Sequence, residues 1–205
     1  IIAGVGSFVG VVANAVEIMI DSRDRRLRRT KLNMIIGSFF SECGTPLLRV
    51  LIASDPAIGE IRDRLASPDR WTPDEFSRLS QMLGKHRYQV GISRVDLADL
   101  RAYLAGRRMF LLQLLDNPMI FEHDEFTELL QALFHVTEEL MHRDSLVGLP
   151  DTDLAHLAND LARSYGYLVR EWVDYMRHLK EHYPYLFSLA MRTNPFDPDA
   201  SPIVR

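Results

Sequence analysis

The chain has 205 residues, 47% hydrophobic and 25% charged, a composition that builds a buried core and excludes a disordered or collagen-like chain. Twenty-four basic and twenty-eight acidic side chains leave a formal charge of −4, so charge does not recommend a nucleic-acid binder. The single cysteine, Cys43, excludes an internal disulfide framework and a cysteine-rich zinc site, and fits a reducing compartment.

Apolar and charged residues are unevenly placed. Residues 1–20, IIAGVGSFVGVVANAVEIMI, carry one charge, Glu17, and one amide, Asn14. As a helix they would span roughly 30 Å, the thickness of a hydrocarbon core, so they form a transmembrane candidate. Residues 21–31, DSRDRRLRRTK, hold six basic and two acidic side chains, and such a block marks the cytoplasmic edge of a membrane. The charges of residues 32–205 sum to −7. The expected division is therefore 1–30, membrane helix and basic connector, and 31–205, a cytoplasmic domain. A cleaved signal peptide has its basic residues before the apolar run, and here the order is reversed. A buried helix of a soluble protein is the alternative reading of residues 1–20. The chain opens at Ile1 without an initiator methionine, which reads as the later part of something longer.

Gly4, Gly6 and Gly10 do not make a nucleotide fingerprint, because the spacing is GxGxxxG and no βαβ pattern surrounds it. In lipid, Gly6-xxx-Gly10 admits a close neighbouring helix, and Gly4 or Gly6 offers a bending point. Asn14 and Glu17 lie three apart, near one face, and an intramembrane carboxylate is costly unless it lines water or meets a partner. The run Gly4-Val-Gly-Ser-Phe8, followed by Val12, Glu17, Ile20 and Asp21, resembles the inner helix of two-transmembrane potassium channels, most closely the calcium-gated prokaryotic kind. The resemblance implies that Gly4 is a gating hinge, with Gly6 beside it. It also implies that Val5, Val9, Val12, Ala13 and Glu17 face a pore, Glu17 standing in an acidic ring at the inner mouth. No TVGYG-like filter occurs, so filter and outer helix would lie upstream of Ile1. The tail lacks the alternating strands and helices of a dinucleotide-fold regulatory domain, so no gating ligand carries over. The segments KLNMIIGSFFSECGTPLLR, FHVTEEL and YPYLFSLAMRTNPFD resemble an uncharacterised bacterial group of predicted ion-channel membrane proteins.

Helical periodicity dominates the acidic body. Leu32, Ile35, Ile36, Phe39, Phe40, Cys43, Leu47, Leu48, Leu51 and Ile52 form an amphipathic stripe over 31–54, which Gly44 and Pro46 should kink or divide. A short helix is expected at 57–66. Thr72-Pro73-Asp74-Glu75 supplies an N-cap, a proline at the first turn and two acids, opening a helix to about 84. The strand-like stretch 88–95 stands alone and reads as extended loop. Further helices are expected at 96–116, 123–143 and 152–181, the last capped by Asp151 to Asp153, and Pro184 begins a short terminal helix. The predicted class is all-α: a membrane helix continuing into a bundle of about five to six helices.

Glu139-x-x-His142, near His135, Glu138 and His123, is the best metal candidate, because di-iron bundles draw on Glu-x-x-His pairs. The 152–181 helix supplies only Asp153-x-x-His156 and Asp174-x-x-x-His178, so solvated helix faces are the preferred reading, with His135 a hydrogen-bonded core residue. No GxSxG, P-loop or HExxH occurs, so neither enzyme activity nor a cofactor is expected. The aromatic runs 164–175 and 183–187 are read as core packing rather than a ligand pocket, on the stripe Leu168, Trp172, Tyr175 and Leu179.

The functional expectation is the C-terminal part of a cation channel subunit, with potassium or another monovalent cation as the permeant ion. The expected setting is the inner membrane, as a homotetramer, with Arg23, Arg25, Arg26, Arg28 and Arg29 at the lipid interface. The alternative is a membrane-anchored interaction or sensor module that does not conduct.

Overall fold

The computed structural model describes Glu17, Met19, Arg23 and residues 27–204. The expected pore-facing residues Gly4, Val5, Gly6, Val9, Val12 and Ala13, and the connector residues Arg25 and Arg26, lie outside the described residues. Glu17 and Arg23 are helical and exposed.

Seven α-helices and no strand occur among the described residues: α1 (Leu27–Ser54), α2 (Gly59–Leu65), α3 (Pro73–Leu83), α4 (Leu97–Leu115), α5 (Asp124–Met141), α6 (Asp151–His182) and α7 (Pro184–Arg192). The all-α class is as expected, and most predicted boundaries fall within two residues. The stretch before α4 is loop ending in a 3-10 turn, Ile92–Arg94, as the lone strand-like pattern suggested.

α1 departs from expectation. It is one continuous helix of about 42 Å at 1.5 Å per residue, and Gly44 and Pro46 do not divide it. Instead Phe40–Gly44 form a π turn, in which the Thr45 N–H donates to the Phe40 carbonyl. Pro46 has no N–H to give the preceding turn, and neighbours on α4 supply the missing donors. Arg107 Nε donates to the Glu42 carbonyl at 2.7 Å, and the Tyr103 hydroxyl donates to the Cys43 carbonyl at 3.0 Å. By length and composition α1 would pass as a membrane span, yet half of its most apolar window is buried within the bundle. Phe39, Phe40, Cys43, Leu47, Leu48 and Leu51 are all buried, so this stripe belongs to the core.

The capping chemistry that starts the other helices was partly legible. Thr72 accepts from the Glu75 N–H while the Glu75 carboxylate accepts from the Thr72 N–H, a complete capping box on α3. Asp96 caps α4 through the N–H groups of Ala98 and Asp99. The expected cap on α6 is absent: Pro150 stands at the N-cap position, Asp151 is already helical, and Asp153 turns to Arg143 on α5's trailing loop. That ion pair outcompetes a capping role because both Asp153 oxygens meet the Arg143 guanidinium, at 2.6 and 2.9 Å.

α4 packs along α5 and α5 along α6, while α6 also meets α1, α3 and α7. Rings knit the junctions. Phe39 stands edge-on to Phe126 at 5.3 Å, Phe40 stacks on Tyr175 at 5.2 Å, and Trp172 meets Trp71 at 6.3 Å and Phe196 at 4.9 Å. The core-packing expectation thus holds for Leu168, Trp172 and Leu179, and for the half-buried Tyr175. It fails for part of 183–187: Tyr185 and Leu186 lie exposed on α7. Lys180 ties the loop ahead of α3 to α6, its Nζ donating to the carbonyls of Pro68, Asp69 and Trp71. Asn194 ties the tail to the end of α2 by donating to the Leu65 and Ala66 carbonyls.

Candidate functional site

Two places gather polar chemistry. The first is a cavity of about 1060 Å3 where the start of α1 lies against α6. Arg29, Asn33 and Ile36 of α1 form one wall, Glu122 and His123 a second, and Glu171, Asp174, His178 and His182 of α6 a third. Arg28 reaches Glu122 across the rim at 3.0 Å, an exposed pair that contributes about 0–1 kcal/mol. So Arg28 and Arg29, assigned to a lipid interface, also touch the bundle.

Glu171 is the unusual member. Its side chain is 1% exposed and its Oε1 has no hydrogen-bond partner. Burial, with Asp174 and Glu125 nearby, pushes its carboxyl up to about 8, against a smaller opposite pull from Arg170. His123 Nδ1 lies 3.6 Å from Oε1 and already accepts from the Phe126 N–H as the N-cap of α5. With Nδ1 an acceptor, an ionised Glu171 would face a lone pair, whereas a protonated Glu171 has a hydrogen to turn toward it. Asp174 is likewise pushed up by burial, and His178 and His182 stack at 4.7 Å beside it. Burial is the main cause of the lowered His178 value, and the neighbouring His182 adds to it.

The second place lies between α5 and α6. His135 and Glu139 stand one turn apart on α5, and His156 and Asp160 one turn apart on α6. Ligand atoms of His135, Glu139 and His156 all fall within 4.8 Å of one another. Two sequence expectations change here. His135 is not a core residue: its side chain is 46% exposed, although Nε2 does meet the buried Asp160 Oδ2 at 3.2 Å. His142 does not join Glu139. It lies at the C-cap of α5, exposed, with Nδ1 folded back against the Glu138 carbonyl at 2.8 Å rather than reaching toward α6. Its place is taken by His156. Glu138 points elsewhere too, to Arg108 at 2.6 Å, which lowers its carboxyl.

Glu139 is held below its usual range, first by the hydrogen bond from Arg143. The same guanidinium lowers Asp153 and is itself raised by that pairing. His156 and Asp160 were within reach of sequence reasoning, since both follow the α6 N-terminus at helical spacing. What pointed to them was the pairing of two i, i+4 acid–histidine sets, a pattern that acquires meaning only when α5 and α6 are known to pack face to face.

The matched family is described as "Uncharacterized protein MJ1433, C-terminal helical domain" and covers residues 28–192, from the first turn of α1 to the last residue of α7. Uncharacterized protein MJ1433 of Methanocaldococcus jannaschii is 41% identical over 187 residues, 91% of this chain and 75% of the relative. No solved structure matches. The chain belongs to the family of the MJ1433 C-terminal helical domain.

Proposed function

We propose that the chain is the C-terminal part of a cation channel subunit, with potassium the favoured ion, and that residues 31–205 form a non-catalytic cytoplasmic domain for assembly or gating. The observation that carries this reading is the continuity of α1. It begins at Leu27, inside the basic connector, and ends in the bundle core, so a pull on the connector reaches the domain through one continuous helix. The resemblance of residues 4–21 to a channel inner helix supplies the pore. Displacement of α1 would pull on the connector and bend the inner helix at Gly4 or Gly6.

Single-channel recording of the complete gene product in planar bilayers tests this. Monovalent cation currents are expected, with Glu17→Gln lowering conductance by reducing the cation concentration at the inner mouth, and Gly4→Ala altering open probability. Unchanged conductance in Glu17→Gln removes Glu17 from the pore. Absence of current, together with crosslinking that finds monomers alone in membranes, overturns the channel reading.

One observation favours the second reading, a membrane-anchored interaction module without conduction. Met34, Tyr185, Leu186 and Leu189 leave apolar surface exposed along a groove of about 740 Å3 between α1 and α7. A protein partner seated there in membranes that carry no current would establish it.

A further inference from the structure

The α5–α6 packing brings two imidazoles and two carboxylates together at one place. Asp160 Oδ2 is buried and lies 3.2 Å from His135 Nε2 and 3.3 Å from His156 Nε2. Four ligands at 2.0–2.1 Å from a tetrahedral ion are separated by about 3.3 Å, so two edges of that tetrahedron already exist. Glu139 completes it from the open side. Its Oε1 is 3.9 Å from His135 Nε2 and its Oε2 3.8 Å from His156 Nε2, and ligand atoms of His135, Glu139 and His156 all lie within 4.8 Å of one another, so a turn of the Glu139 carboxylate brings one oxygen toward both imidazoles.

The surroundings fit the same role. Arg163 donates to Asp160 Oδ1 at 2.9 Å, fixing the carboxylate with its other oxygen toward both imidazoles. Arg143 donates to Glu139 Oε2 at 2.8 Å and orients that carboxylate. Ligands oriented in this way by outer partners are characteristic of built metal sites. Two imidazoles with two carboxylates select a borderline transition metal over magnesium or calcium, which prefer all-oxygen shells.

We propose that His135, Glu139, His156 and Asp160 bind one divalent transition-metal ion of the zinc class and so fasten α5 to α6. The site does not depend on conduction and holds under either functional reading. With all four positions filled by side chains, the ion takes a structural or regulatory role rather than activating water.

The test uses the 205-residue chain, stripped with EDTA and kept in mild detergent. Zn2+ is titrated calorimetrically, and Co2+ by visible absorption. One equivalent of Zn2+ is expected to bind and raise the melting temperature, and Co2+ to show the intense bands of a tetrahedral site that Zn2+ abolishes. His135→Ala and His156→Ala should each weaken Zn2+ binding at least tenfold. Both side chains are about half exposed, so their melting temperatures in EDTA should match the parent. Glu139→Gln, which retains a hydrogen-bonding amide, should weaken binding without loss of fold. His182→Ala, on the same helix but outside the site, should bind as the parent does. Failure to bind Zn2+, equal affinity in the His135→Ala/His156→Ala double variant, or equal loss in His182→Ala would each overturn the proposal.

Discussion

Glu171 is a carboxyl whose protonated form is the native one near neutrality. Its value rises from an ordinary 4.5 to about 8 because burial penalises the charge, so between those limits the folded chain holds a proton that the unfolded chain has released. Its stabilising contribution is therefore complete below about pH 4.5 and is lost as pH rises through about 8. Asp174, raised by burial, acts in the same direction. Glu138, Glu139 and Asp153 act oppositely: arginine partners lower them, and what they contribute is lost as pH falls below the ordinary carboxylate range. Stability should thus peak at about pH 5 and decline toward pH 9. Thermal melts across that range should show Glu171→Gln with a flatter decline and a melting temperature roughly 2–6 °C above the parent at pH 9. Parallel curves for the two proteins would mean that Glu171 is ionised throughout. The sequence shows Glu171 only as one acid in a charged helix. Its protonation depends on which side of α6 faces α5 and α1, which no local pattern encodes.

At the scale of the element, α1 shows how a local rule is overridden. Gly44 and Pro46 argued for a break, and the apolar stripe on either side argued for continuation. The stripe wins because burying Phe39, Phe40, Leu47, Leu48 and Leu51 outweighs one lost backbone bond, and Arg107 and Tyr103 supply substitute donors. Gly44 is what allows the π turn to sit in the core: a Cβ there would approach Phe40 Cδ1 to 2.7 Å and Phe39 Cε1 to 2.8 Å. Gly44→Ala should therefore cost about 1–3 kcal/mol by displacing two packed rings, read from urea unfolding. A neutral result would mean that the rings move aside freely. The helices themselves were legible because their apolar periods are long and, at Thr72, the cap is strong. The cap expected at Asp151–Asp153 does not form, since a carboxylate near a helix start serves either the backbone or a distant arginine, and only the position of Arg143 decides between them.

For the molecule as a whole, α6 is the shared member. About 48 Å long at 1.5 Å per residue, it meets α1, α3, α5 and α7, and on it Trp172 joins Trp71 from the loop before α3 to Phe196 from the tail. Truncating a buried tryptophan at such a junction should cost about 3–5 kcal/mol, a large part of the stability a domain of this kind possesses. Trp172→Ala should accordingly unfold at much lower urea, and loss of the tail's contact through Phe196 should appear in the same transition. Two separate transitions would show that tail and bundle unfold independently. The overall class could be read from periodicity, and the candidate site only in halves. Glu139 was visible as a ligand on α5, whereas His156 and Asp160 gained significance from a packing arrangement that juxtaposes residues more than fifteen positions apart.

The way α1 enters the bundle also sets a gradient in time. Leu27, Arg28, Arg29 and Lys31 are exposed, whereas Ile36, Phe39 and Phe40 are fully enclosed, all within four turns of one helix. Backbone amides at the entrance can open locally, while those past Ile36 exchange with solvent only when the domain unfolds. Deuterium uptake should therefore slow by orders of magnitude between Arg29 and Phe40. That boundary is the point at which any pull on the helix ceases to be local strain and becomes a load on the entire fold.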